Sequence, residues 1–220
     1  MPNLVAYEPA FAREVAWLLL EGLRAVQDPA HGRAVYLRLS TKTVDQTLLE
    51  PALARLGEPT LRAQALRGGY RLVDLGERPG YEPGANVVNL VAAGAMVPEA
   101  VEASRLLAAE GILANVLVLT SPRQAFETWR DGLAARLDGG VAASWLGEWI
   151  APEEVEGQVP IVSVVDGHPH ALAWLGTALG VPHAPLGVHG FGQSGARADL
   201  YRHYQIDAEA IARAARLALA

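Results

Sequence analysis

Three short and almost wholly apolar runs, separated by segments of helix length, constrain this chain more than any other feature. They are "NVVNLVAAG" (86–94), "NVLVLTS" (115–121) and "VPIVSVVDG" (159–167). A strand that is apolar at every position has no face to give to water. Strands of this kind alternating with helices therefore predict a parallel sheet covered on both faces. The intervening segments fit that reading. "VPEAVEASRLLAAEG" (97–111) reads as a helix with Pro98 in its first turn and Gly111 at its end. "PRQAFETWRDGLAARL" (122–137) and "HALAWLGTALG" (170–180, closed by Gly180) read the same way, and two more helices are expected over about 195–204 and 207–218.

The first part of the chain is less regular. Residues 9–26, "PAFAREVAWLLLEGLRAV", read as a helix with Pro9 in the first turn and Phe11, Val15, Leu18, Leu19 and Leu23 as its buried stripe. "AVYLRLS" (34–40) reads as a strand after Gly32. Residues 41–68 are mixed, punctuated by Pro51 and Pro59, and "RGG" at 67–69 reads as a hinge. A domain boundary is placed near 62–68, giving units 1–62 and 63–220. The length of 220 residues allows one large domain plus part of another.

Charge and composition narrow the partners. A net charge of −6 offers nothing to a phosphate backbone, so nucleic acid is not an expected partner. Cysteine is absent, which removes disulfides and thiolate sites. No apolar run nears the roughly 18 residues of a membrane span. The start, Met1-Pro2-Asn3-Leu4, lacks the pattern of a signal peptide, so cytoplasm is the expected location.

Gly190-Phe191-Gly192-Gln193-Ser194-Gly195 is a literal G-x-G-x-x-G. In a dinucleotide fold that pattern follows the first strand and precedes a full βαβ unit with an acidic residue. Here only residues 196–220 follow, and they read as helical. A phosphate-binding P-loop fails as well, because Gln193 stands where its lysine is needed. The expected role is local: Gly190 and Gly192 supply backbone geometry, and Ser194 caps the next helix.

Three longer segments carry a resemblance. "NLVAAGAMVPEAVEASRLLAAEGILANVLVLTS" resembles the opening of the C-terminal domain of the transketolase-like thiamine-diphosphate enzymes. "HGFGQSGARADLYRHYQIDAEAI" resembles that family's closing segment, and most of all the D-G-F-G-R-S and R-x-x-L-x-x-H pattern of the homodimeric bacterial pyruvate dehydrogenase branch. The start, "PNLVAYEPAFAREVAWLLLEGL", is similar to the end of that branch's middle, pyrimidine-binding domain.

The resemblance implies a three-layer α/β/α sandwich with a mostly parallel sheet, preceded by the tail of a pyrimidine-binding α/β domain. It implies decarboxylation of a 2-oxo acid such as pyruvate, followed by reductive acetyl transfer to a lipoyl group. The partners it implies are the remaining domains of the same enzyme, a second protomer and a lipoyl-bearing acyltransferase. Thiamine diphosphate and Mg are the cofactors of the complete enzyme. The G-D-G…N-N segment that holds them is absent from this sequence, so no cofactor, metal or catalytic residue is expected in this chain, which reads as the last part of a longer enzyme. Its local work is then domain packing and dimer assembly. Rival readings are the same part of a sugar-phosphate transketolase and a non-catalytic assembly domain.

Several residues are candidates for an active-site entrance or domain interface. Sugar-phosphate transketolases carry L-S-R-Q where this chain has Leu39-Ser40-Thr41-Lys42, so Thr41 replaces a phosphate-binding arginine, although the adjacent Lys42 is cationic. Asp166, His168 and His170 lie at a strand end, where a metal site, a helix cap and an interface role are the alternatives. His189 flanks the glycine loop, and His203 reads as a helix-end residue. Glu153, Glu154 and Glu156 read as a solvated acidic loop, and Trp145 and Trp149 as one helical packing face.

Overall fold

The computed structural model describes residues 3–140, 145–150 and 154–220. The three apolar runs form β4 (Val87–Ala92), β5 (Leu113–Leu119) and β6 (Ile161–Val164), each buried almost throughout. They pair in parallel, β5 on one side of β4 and β6 on the other. Two strands complete the sheet. β3 (Gly69–Val73) runs antiparallel to β5 at one edge, and β7 (His183–Leu186) runs parallel to β6 at the other, giving the order β3-β5-β4-β6-β7. The expected hinge at 67–69 is thus a helix end, Gly68 at φ 126, followed directly by the edge strand.

Helices cover both faces. On one side α4 (Val97–Ala108) and α9 (Ala208–Leu219) pack over Val88, Leu90, Val116 and Val162. On the other, Val91, Leu117 and Ile161 meet residues of α5 (Pro122–Leu137), α6 (Trp145–Ile150) and α7 (Trp174–Leu179). Alternate residues of one strand therefore serve two separate cores, and that is why the strands read as unbroken apolar runs. Between β7 and α9 lies α8 (Arg197–His203). The fold is the expected three-layer α/β sandwich with a mostly parallel sheet.

The first unit holds β1 (Leu4–Tyr7) and β2 (Ala34–Leu37), a two-stranded parallel pair joined by α1 (Ala12–Val26). Then come α2 (Glu50–Leu56) and α3 (Glu58–Arg67), which lean on β3. The predicted stripe of α1 needs correction. Phe11 and Leu18 are buried, but Leu19 and Leu23 are about half exposed, at 49% and 51%. The buried face instead includes Glu14, Trp17 and Gly22. The run of three leucines, 18–20, spreads apolar surface around the helix, so spacing alone cannot choose the inner face.

Candidate functional site

In an open α/β sheet, ligands bind outside the carboxyl ends of the strands, where neighbouring strands send their connections to opposite faces. Here that point lies between β4 and β6, which adjoin while α4 and α7 cover different faces. The first unit lies across this end of the sheet, and a cavity of about 390 Å³ lined by Glu8, Arg123, Phe126, His170 and Trp174 among others remains beside it. The Glu8 N–H donates to the carbonyl of Thr120 at 2.7 Å, just past β5. The Ser121 hydroxyl donates to the carbonyl of Ala6 at 2.6 Å. Gly94, at φ 52, lies so close that a Cβ built there would be 3.8 Å from the Glu8 carbonyl oxygen.

Charged groups close the junction. Arg38, just after β2, donates through Nη1 to Glu8 at 2.9 Å and to Asp166 at 2.6 Å. Partial burial opposes its charge, but Asp166 and then Glu8 more than compensate, so its pKa lies above the usual value. Lys42 Nζ donates to the Ala95 carbonyl and to Glu99, both at 3.0 Å, and lies 5.1 Å from the ring centre of Tyr201. Thr41, its neighbour, is exposed. Asp166 and Lys42 therefore stand at the contact between the two units. The residues missed from sequence are Arg38 and Glu8. Nothing in the sequence marked them, because Arg38 and Asp166 lie 128 positions apart and meet only in the fold.

The two histidines near Asp166 do different work. His168 precedes a 3₁₀ turn, Pro169–Ala171, and its Nδ1 accepts from the His170 N–H at 3.3 Å, so it serves as a cap. The His168 and His170 rings meet edge to face at 4.7 Å. Among the described residues no group of three or more His, Asp or Glu side chains is placed to hold a metal ion. His183, unremarked in the sequence, lies 2.8 Å from the Ser163 hydroxyl, and burial lowers its pKa.

The glycine loop departs from expectation. α8 begins after Ala196, in extended conformation with no side-chain cap, so Ser194 does not cap it. Gly190 and Gly192 are not among the residues with positive φ, and a Cβ at either would meet open space. The crowded glycine is Gly187, whose Cβ would fall 2.5 Å from the Gly167 carbonyl. His189 is exposed, edge-on to Tyr204 at 6.5 Å, and His203 ends α8 beside the same ring at 4.8 Å.

The far end of the sheet carries a second polar cluster. Arg71 on β3 is buried and donates to the Trp149 and Ile150 carbonyls and to Glu156. Glu156 also accepts from Tyr81 at 2.6 Å, which helps burial push the Tyr81 hydroxyl up to about 12. Asn115 links Tyr81 to Asn89. Glu156 is thus a buried ion-pair partner and not part of a solvated loop. Glu153 and the side chains of Glu154 and Trp145 lie outside the described residues. Trp149 is buried against Gly69.

Comparison with known proteins agrees with this architecture. The family described as transketolase-like TK C-terminal domain matches residues 68–207. The pyruvate dehydrogenase E1 component of Haemophilus influenzae is 27% identical over 98% of the chain, and that of Escherichia coli K12 is 26% identical over 98%. The chain spans 23% of the length of each. Among solved structures, a transketolase variant from Pichia stipitis in complex with fructose-6-phosphate superimposes on 99% of the chain with TM-score 0.65 at 21% identity, covering 25% of its own length. A split-gene transketolase described as an inactive β4 tetramer gives TM-score 0.60 at 21% identity over 100% of this chain and 59% of its own.

Proposed function

The chain belongs to the transketolase-like C-terminal domain family, and from that premise we propose that it is the C-terminal part of a thiamine-diphosphate-dependent 2-oxo acid dehydrogenase acting on pyruvate. Residues 1–62 are read as the end of the pyrimidine-binding domain and residues 63–220 as the C-terminal domain. The local task of the chain is packing and dimer assembly. One observation carries that assignment: Glu8 and Arg38 of the chain itself bond across the carboxyl ends of the strands, where an open sheet would hold a ligand. The C-terminal sheet then acts as a platform for the first unit.

The choice of pyruvate over a sugar phosphate rests on charge. Thr41 offers no cation, Lys42 is held by Glu99 and the Ala95 carbonyl, and Arg38 is held by two carboxylates. No cation in this stretch is left over for a phosphate. A surface suited to further domains or a second protomer lies on α1, where Leu19, Leu20, Leu23 and Val26 are each about half exposed, and Tyr36 of β2 is 55% exposed. A two-stranded parallel sheet is also incomplete by itself, since each strand keeps one unpaired edge.

Thiamine diphosphate and Mg would be held by a G-D-G…N-N segment on the remaining domains. The described residues do not fit as a magnesium site, and no step of the chemistry is assigned to them. The cofactor would supply the carbanion-stabilising centre, and a lipoyl-bearing acyltransferase would accept the acetyl group. The test is reconstitution with a polypeptide bearing that segment, followed by assay of CO₂ release from pyruvate. Pyruvate turnover that depends on this chain is the expected result. Turnover of a ketose phosphate instead would favour the transketolase reading, and a complex inactive on both substrates would favour an assembly domain.

A further inference from the structure

A groove of about 670 Å³ separates the first unit from the sheet at the end opposite the Arg38 junction. That volume lies in the range of clefts that take small organic ligands, and such clefts favour the seams between structural units. The floor is apolar: Leu72, Val73 and Leu75 from β3 and the loop after it, Leu48 from the 3₁₀ turn before α2, and Val101 and Ala108 from α4.

The rim is cationic. Arg55, Arg78 and Arg105 line it, with Asp45 and Asp74 as the acidic residues. Both acids are already engaged. Asp45 accepts from the backbone and hydroxyl of Thr47, at 2.9 and 2.7 Å. Asp74 accepts from Arg55 at 3.2 Å and from Arg71 at 3.3 Å. Arg105 donates to Glu102 at 3.2 Å, is 64% exposed, and its charge adds to the hydrogen bonds that hold the Asp45 carboxyl below its usual value. The Arg78 side chain has no hydrogen-bond or ion-pair partner among the described residues. Arg55 is matched by Asp74 and Arg105 by Glu102, so Arg78 is the one unmatched cation at the mouth of the apolar cleft among the described residues.

We propose that this groove binds a small amphipathic anion, an aliphatic body bearing a carboxylate, with the body over Leu72, Leu75 and Val101 and the carboxylate at Arg78 and Arg105. An apolar body alone would leave Arg78 unanswered. A small polar anion would leave the floor wet. The geometry asks for both parts in one molecule.

The test is calorimetric titration of the 220-residue chain with decanoate, decanol and acetate at low ionic strength. Decanoate should saturate one site at least tenfold more tightly than decanol, with acetate showing no binding. Two variants change exposed side chains, so the fold is kept. Ala108→Trp fills the groove and should abolish decanoate binding. The pair Arg78→Glu and Arg105→Glu should weaken decanoate at least tenfold and leave decanol unchanged. Absence of saturable decanoate binding overturns the proposal. So does decanol binding as tightly as decanoate, or either variant binding decanoate like the unmodified chain.

Discussion

At the scale of single residues, glycine and serine positions show what a motif does not reveal. "GFGQSG" looks like a structural loop, but the backbone needs of that region fall on Gly187, where a Cβ would strike the Gly167 carbonyl. Because Gly192 has open space and no positive φ, Gly192→Ala should change stability by less than about 0.5 kcal/mol, and Ser194→Ala likewise. Asp207 caps α9 by accepting from the Ala210 N–H at 2.9 Å, so Asp207→Ala should cost about 1 kcal/mol in urea unfolding. Comparable losses at Ser194 and Asp207 would contradict this. Glu14 is a second residue that spacing could not find. It is fully buried, accepting from Tyr70 at 2.6 Å and from the Ala10 and Phe11 N–H groups. Burial raises its pKa despite those bonds. Above the unfolded carboxyl value of about 4.3 the unfolded chain has released this proton while the folded chain still binds it, so this group's contribution to stability falls as pH rises through that window. Glu14→Gln should remove that slope, read as unfolding free energy against pH. An unchanged slope would show that Glu14 is not its source.

At the scale of elements, the reading succeeded where burial is two-sided. β4, β5 and β6 announce themselves because each serves two cores, and α5 begins and ends where Pro122 and Leu137 predict. The edge strands were missed for physical reasons. β3 carries Arg71, whose charge is met by Asp74 and, inside the protein, by Glu156, 85 positions away. β7 reads "HAPL", and Pro185 is tolerated there because the strand is an edge. The face of α1 was misread because its leucines encircle the helix, and the half that stays exposed is the half proposed above as a docking surface. Leu20→Lys with Leu23→Glu should therefore leave the melting temperature nearly unchanged and reduce self-association seen by light scattering. If association persists unaltered, the α1 face is not the contact.

At the scale of the whole molecule, the site was legible only in part, because it is made between units. Asp166 and Lys42 stood out in the sequence, but their partners Arg38, Glu8 and Glu99 come from other elements and gain meaning only when the chain closes. Arg38 is the joint: removing it leaves Glu8 and Asp166 facing each other without the cation between them. Each pair is partly exposed, so a single contact is worth little, while a cation shared by two carboxylates is worth more. A double-mutant cycle of Arg38→Ala and Asp166→Ala should give a coupling of about 1 kcal/mol at low salt that shrinks as ionic strength rises. Arg38→Ala should cost more than Asp166→Ala, because it also frees Glu8. The same variant should quicken proteolysis within residues 3–45 before the sheet is cut, since it removes two of the bonds that, with Lys42–Glu99, Glu8–Thr120, Ser121–Ala6 and Tyr70–Glu14, tie this segment to the rest. Strict additivity at low salt, or loss of the sheet and the first unit together, would mean that the apolar contacts of α3 with β3 hold the units and the charged junction only orients them.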